Sequence, residues 1–412
     1  MRQRYLIRCV AAGIFVFLAT WGNAVHAQET PATHGLIREP DFIERAVIFA
    51  DRRQGNGEFT NGFYPDLFNM IPGAGWISAG PGYRQWYAKD RAFVDTSMAV
   101  SWRGYKLIQG RVELPTIARS RIALGAHYRW QDFTQIGFYG TGPESLEENH
   151  SEYGLRSQNL IGYAALRPFE ALSIGAQIGW LSPSVRPRGG WFEGNTADTR
   201  TVFPANPVYA VPDQGTFVQR EVSVTADTRD FPRHATSGGL YRAAVADYDD
   251  SEGVFSFRRY EAEAARFMPV AGSRVVIAVR GWLVGSDTSA GQSVPFYLQP
   301  SLGGDNSLRS YADFRFHDRN MLVFNAEGRI ALMAHIDAAV FLDAGNVAPR
   351  VSDLNLDKRS YGVGVRLHTR SQTFGRVDIA RGDEGWRLLL RLGDPLALSR
   401  LSRRALLAPF VP

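Results

Sequence analysis

From about residue 75 onward, the apolar residues of this 412-residue chain recur at every second position. They do so in segments of roughly 8 to 14 residues separated by turn residues, the period of a β-strand with one apolar face. Examples are "FVDTSMAVSW" (93–102), "RIALGAHYRW" (121–130), "ALSIGAQIGW" (171–180), "FVQREVSVTAD" (217–227), "YGVGVRLHT" (361–369) and "WRLLLRLG" (386–393). The opposite face is rich in Gly, Ala, Ser, Thr, Arg and Asp. "FSFRRYEAEAARF" even carries Arg258, Arg259, Glu261, Glu263 and Arg266 in one strand-length run. A soluble sandwich would hide such a row badly, whereas the wet lumen of a large barrel accepts it. Many segments begin or end in Trp, Tyr or Phe, as strands do where they meet lipid headgroups. No stretch past the N-terminus has the ~20 predominantly apolar residues that a membrane-spanning helix needs.

The N-terminus points to export. "MRQRYLIRCVAAGIFVFLATWGNAVHA" has Arg2, Arg4 and Arg8, an apolar run from about Val10 to Thr20, and the small-residue ending Val25-His26-Ala27. That is the layout of a cleaved secretory signal, too short in its apolar part to anchor the chain. Its removal takes three of the 46 basic residues and no acid, so the formal charge falls from +5 to +2. So small an excess of positive charge gives no reason to expect a nucleic-acid partner. Removal also takes Cys9, the single cysteine, leaving no disulfide for the mature chain.

Four regions follow: a signal over 1–27, an N-terminal segment over 28–74, a barrel over 75–396 and a basic tail over 397–412 with Arg400, Arg403 and Arg404. In the second region Ile37, Phe42, Ile43, Val47 and Ile48 fall at roughly helical spacing, so a short helix is expected, either interfacial, lumenal or simply packed. Long connections at 137–153 and 182–215 alternate with short turns such as "RPFEA" and "MPVAGS". Short turns on one side and long loops on the other are the outer-membrane pattern. The expected fold is all-β: a sixteen-stranded antiparallel transmembrane β-barrel, about eleven strands before a loop at 296–314 and five after it.

Catalytic chemistry has little footing. There is no G-x-S-x-G elbow, no H-E-x-x-H and no phosphate-cradling glycine loop. His34, His127, His150, His234, His317, His335 and His368 are scattered, none at metal-ligand spacing from another, so no metal and no cofactor is expected.

The loop "FYLQPSLGGDNSLRSYADF" raises a different question, because it holds Arg309 between a leucine and a serine-tyrosine pair. Downstream, "NMLVFNAEGRIAL" places Glu327 on the next strand and "AAVFLDAGNV" places Asp343 on the one after. Alternation lets both carboxylates face the lumen at similar heights. An inward guanidinium could then take both through its planar fork of donors. Spacing alone equally allows an exposed Arg309, a lumenal Glu327 and an Asp343 that belongs to a turn.

The run "PFYLQPSLGGDNSLRSYADFRFHDRNMLVFNAEGRI" followed by "FLDAGNV" resembles the C-terminal barrel of the BamA/TamA outer-membrane assembly superfamily. "TADTRDFPRHATSGGLYRAAV" (225–245) and "RVDIARGDEGWRLLLRLGDPL" are similar to further segments of that family, so the likeness covers most of 75–396. It implies that the loop after strand eleven folds into the lumen, with Arg309 as a latch, Tyr311 as its aromatic neighbour, and Glu327 and Asp343 as its acceptors. It also implies a monomeric barrel in a Gram-negative outer membrane, in contact with its lipid. Such a barrel would assist insertion or translocation of unfolded outer-membrane proteins or lipids and would not be an enzyme. The alternative is a passive or gated solute channel with the loop as plug. The sequence departs from the family in three ways. Ser310 stands where glycine is usual, no client-receiving POTRA domains or patatin-like phospholipase are seen, and the chain continues past its last strand.

Overall fold

The computed structural model describes residues 35–37, 39–45, 47, 61–71, 74–89, 91–191, 194–211, 214–270 and 274–396. The expected signal and the expected basic tail lie outside them, as does Ile48 of the expected helix; residues 41–45 of that helix are helical.

Sixteen long strands dominate. They are β1 (Gly62–Ile71), β2 (Ala74–Tyr87), β3 (Ala92–Ser101), β4 (Lys106–Thr116), β5 (Ile122–Phe138), β6 (Ser151–Phe169), β7 (Leu172–Pro187) and β8 (Phe217–Asp227). Then come β9 (Gly238–Asp250), β10 (Phe257–Val270), β11 (Val275–Thr288), β12 (Asn320–Ala331), β13 (Ile336–Ala348), β14 (Lys358–His368), β15 (Thr373–Gly382) and β16 (Gly385–Leu392). Each pairs antiparallel with the next in sequence, from β1–β2 to β15–β16. A two-residue strand, Ala197–Asp198, joins β6 in parallel and makes this a 17-stranded sheet. β16 comes near β1, yet among the described residues no ladder of hydrogen bonds joins them. No described helix is long and apolar enough to cross a membrane.

The sheet begins earlier than the expected residue 75. β1 hides its period, because Phe63-Tyr64 and Leu67-Phe68 put apolar residues side by side and Pro65 interrupts the run. Proline is tolerated at a sheet's edge, where its missing N–H removes no ladder bond, and among the described residues β1 is laddered to β2 alone.

Alternation sorts the two faces. On β14, Tyr361, Val363, Val365 and Leu367 are exposed while Ser360, Arg366 and His368 are buried. On β16, Trp386, Leu388 and Leu390 are exposed while Arg387 points the other way. The face turned outward is thus apolar and the covered face polar, the reverse of a soluble sandwich and the arrangement lipid demands. Connections alternate in length as well. β5–β6, β7–β8 and β11–β12 are joined by the longest, whereas β6–β7 and β14–β15 need two to four residues at the other end.

At the long-loop end an apolar cluster spans the polar face. Phe296, Tyr297 and Leu298 of the β11–β12 connection pack with Phe133, Ile136, Phe138, Tyr153, Phe217 and Phe257, from β5, β6, β8 and β10.

Candidate functional site

The β11–β12 connection folds back on the polar face of the sheet. Its two arms form a short antiparallel bridge, Ser301 opposite His317 and Leu302 opposite Phe316. Gly303 and Gly304 (φ +105° and +96°) let the chain reverse there. At Gly303 a Cβ would sit 2.0 Å from the Ala312 carbonyl oxygen, so the tip closes on itself only with glycine at this point. Leu302, Leu308, Tyr311 and Phe316 pack against Trp282, Val284, Met321, Val323 and Val347, a small core that fixes the loop to β11, β12 and β13.

That core delivers Arg309 to two carboxylates. Its Nε donates to Asp343 Oδ2 at 2.9 Å, Nη2 to Asp343 Oδ1 at 2.7 Å and Nη1 to Glu327 Oε2 at 2.6 Å. The Arg309 backbone N–H also donates to Asp343 Oδ2, at 3.2 Å. Pairing of Asn325 with Asp343 and of Glu327 with Phe341 puts the two acids diagonally across β12 and β13 on one face. Arg309 is 1 % exposed, Glu327 1 % and Asp343 0 %, so all three are cut off from water. Burial opposes the charge on Arg309, but Asp343 first and then Glu327 hold it well above the ordinary guanidinium range.

The aromatic ring over the Arg309 guanidinium is Phe341, 3.4 Å from its centroid, rather than Tyr311. Tyr311 instead packs edge-on to Phe316 and donates its hydroxyl to Asp383 Oδ2 at 3.0 Å, in the β15–β16 turn. Burial and Asp383 raise its phenol pKa, so it stays a donor. Ser310 needs no glycine conformation, because its φ is not positive. Its N–H donates to Ser360 Oγ at 2.8 Å, and its side chain lies where a Cβ on Gly382 would fall.

Around this centre the polar face carries a larger network that the loop arginine alone does not disclose. Glu327 also accepts from Arg366 Nη2 at 2.9 Å and from Arg329 Nε at 3.2 Å. Arg366 reaches on to Asp378, which is shared with Arg376, and Arg376 returns to Asp305 in the loop. Gly364 leaves room for this, since a Cβ there would meet Asp378 Oδ1. The Arg376-Val377-Asp378 spacing is the sequence signal for it, two charges two apart on one strand face.

The loop is tied to the last strand as well. Arg387 on β16 donates to the Tyr311 carbonyl and to Asp313 Oδ1 at 2.7 Å, and Arg391 donates to Asp313 Oδ2 at 3.1 Å. Arg315 donates to Glu384 Oε1 at 2.7 Å and to the Ser145 carbonyl at 2.8 Å, joining the β15–β16 turn to the β5–β6 loop.

The "TADTRDFPRH" segment forms the β8–β9 turn at the short-connection end. Arg229 is fully buried and grips Asp227 with two bonds of 3.0 Å and the Pro232 carbonyl with a third. Asp230 accepts from the N–H groups of Phe231, Thr236 and Ser237. The scattered histidines are not all apart in space: His234 of this turn stacks on His368 with centroids 4.1 Å apart, beside Asp337.

Residues 212–380 match the Omp85 superfamily domain. The fold is similar to BamA from Haemophilus ducreyi lacking POTRA domains 1–3, with 12% identity, a TM-score of 0.58, and 87% of this chain and 81% of that one covered. It is also similar to CdiB from Escherichia coli, with 12% identity and a TM-score of 0.53 over 82% of this chain and 60% of that one. No curated protein matches the sequence.

Proposed function

We propose that this chain, whose residues 212–380 match the Omp85 superfamily domain and whose fold is similar to that of BamA, is a protein of the BamA/TamA type that forms a sixteen-stranded barrel in the outer membrane. There it assists insertion or translocation of protein or lipid clients. In this reading the polar face lines a lumen, the β11–β12 loop occupies it, and Arg309 latches the loop through Asp343 and Glu327. The edge between β1 and β16 is where a client would enter the sheet.

The observation that carries the reading is the asymmetry of that edge. Fifteen consecutive strand pairs are laddered, whereas β16 meets β1 without one and is instead held through Arg387 and Arg391 to the loop. An unpaired strand edge is a template for another chain, and strand addition is an established mode of peptide recognition. The solute-channel alternative finds less support, because the Phe296 cluster and the loop both lie across the polar face.

Deleting the gene and profiling outer-membrane proteins and lipids tests this. Loss of other barrels or a changed surface lipid composition is the expected result. An unchanged profile, together with a steady single-channel conductance whose ion selectivity follows Arg366 or Arg376 substitution, would replace the assembly reading with the channel.

A further inference from the structure

Three turns at the short-connection end bring His234, Asp337 and His368 together, although His234 stands more than 100 residues from the other two. His234 arrives on the β8–β9 turn, which crosses to the β14–β15 connection: Arg233 bridges Gln372, and the Thr373 N–H donates to the Arg233 carbonyl at 3.2 Å. Asp337 is the second residue of β13, and His368 the last of β14. All three are buried, and their nitrogen and oxygen atoms lie within 4.8 Å of one another.

Hydrogen bonding shows what this cluster lacks. His368 Nδ1 lies 3.0 Å from the Thr369 carbonyl oxygen, an acceptor only, so the proton of the neutral ring belongs on Nδ1. Nε2 then presents a lone pair, 3.1 Å from Asp337 Oδ1, and this buried nitrogen makes no hydrogen bond. A lone pair facing a carboxylate repels it unless a positive charge stands between them. His234 repeats the arrangement less closely, its Nε2 being 3.8 Å from Asp337 Oδ2 and its Nδ1 3.0 Å from Thr373 Oγ1. Protonating both rings would put two imidazolium ions face to face at 4.1 Å. The nearby guanidiniums are spent elsewhere, Arg329 on Glu327 and Asp394 and Arg366 on Glu327 and Asp378. Among the described residues Asp337 pairs with these two histidines alone.

We propose that His234, Asp337 and His368 bind a divalent transition cation of the zinc type, which cross-links the β8–β9 turn to β13 and β14. Two imidazoles and a carboxylate are an ordinary zinc donor set. Tetrahedral zinc with bonds near 2.1 Å sets ligand atoms about 3.4 Å apart, between the 3.1 and 3.8 Å seen from Asp337 to its two histidines. Thr369 supplies the outer contact that fixes a ligating histidine's tautomer, a backbone carbonyl on the other ring nitrogen. The fourth position is left for water. A cation here would do what a disulfide does elsewhere, in a chain whose single cysteine is Cys9.

The test uses the full-length protein in detergent micelles, stripped with a chelator, dialysed and titrated with zinc, then separately with cobalt. One equivalent of zinc should be retained at micromolar free metal, and cobalt should give a visible ligand-field band. Zinc should also raise the temperature at which the compact gel band is lost, because it binds the folded state alone. His234→Ala and His368→Ala should each weaken zinc binding by far more than the roughly tenfold loss typical of an outer-shell change. His335→Ala, at a histidine that meets Glu39 instead, should bind as the unaltered protein does. The compact band without metal reports that each variant is folded. The proposal is overturned if zinc is not retained, or if the His234→Ala/His368→Ala double variant retains it equally. A simple His368–Asp337 ion pair gives the first of those results.

Discussion

Replacing Arg309 by alanine should cost about 3–5 kcal/mol, the range for breaking a buried ion pair from one side. Asp343 loses two charge-assisted bonds, of 2.9 and 2.7 Å, and keeps Asn325 Nδ2 at 2.8 Å and the backbone N–H of residue 309. Bonds to charged groups contribute about 1.5–3 kcal/mol each, so two of them account for the loss. Glu327 should matter less to the same substitution, because Arg366 and Arg329 still face it. The measurement is a urea titration of the refolded protein, followed by compact-band migration and by tryptophan fluorescence. Midpoints shift at constant slope if only stability has changed. In a cycle of Arg309→Ala, Asp343→Ala and the double variant, the double loss should fall short of the sum by at least about 1 kcal/mol, within the range for contacting residues. Agreement with the sum to within about 0.5 kcal/mol would refute the pairing as an energetic unit, whatever its distances.

Three further outcomes are expected. Val363→Arg, on the exposed face of β14, should cost about 2–4 kcal/mol in a bilayer if that face meets lipid; a change under about 0.5 kcal/mol would mark it as an ordinary wet surface. Gly382→Ala should destabilise the protein because its Cβ would lie 2.2 Å from Ser310 Oγ and 2.7 Å from the Arg359 carbonyl, and Ser310→Gly should restore part of the loss; no restoration would separate the two sites. His317 lies buried in the β11–β12 connection, where desolvation pushes its pKa down to about 3. Since an unfolded histidine titrates near 6.5, its contribution is fully present above that value and drains away as pH falls toward 3. His317→Phe should flatten stability between pH 6 and 4 by up to one proton's worth, and an unchanged slope between those pH values would show the ring is not held neutral.

Much of the strand pattern was legible because period two survives wherever one face is exposed and apolar and the other covered and polar. β14 and β16 read off the chain almost residue by residue. β1 did not, since adjacent aromatic pairs and Pro65 conceal its period. The Arg309–Glu327–Asp343 contacts were expected from the family resemblance, since spacing alone left Arg309 free to be an exposed loop residue. Phe341 as the ring over Arg309 was within reach of the same alternation and was missed in favour of Tyr311, which is two residues away in sequence but turned toward Asp383. The His234–Asp337–His368 cluster was out of reach. Its members come from one turn and two strand ends far apart in the chain, and nothing local in "PRHAT", "HIDAA" or "RLHTR" records that the β8–β9 turn crosses to the ends of β13 and β14.

The bonds from Arg387 and Arg391 to Asp313 and the Tyr311 carbonyl have a mechanical consequence. β16 has β15 along one side and, along the other, no ladder to β1. Its freedom to swing is therefore limited by the loop. Withdrawing the loop would release the strand in the same movement, and peeling the strand would drag on the loop. Loop and strand are thus tied into one coordinate, and the force needed to move either is set by the same few arginine–carboxylate contacts.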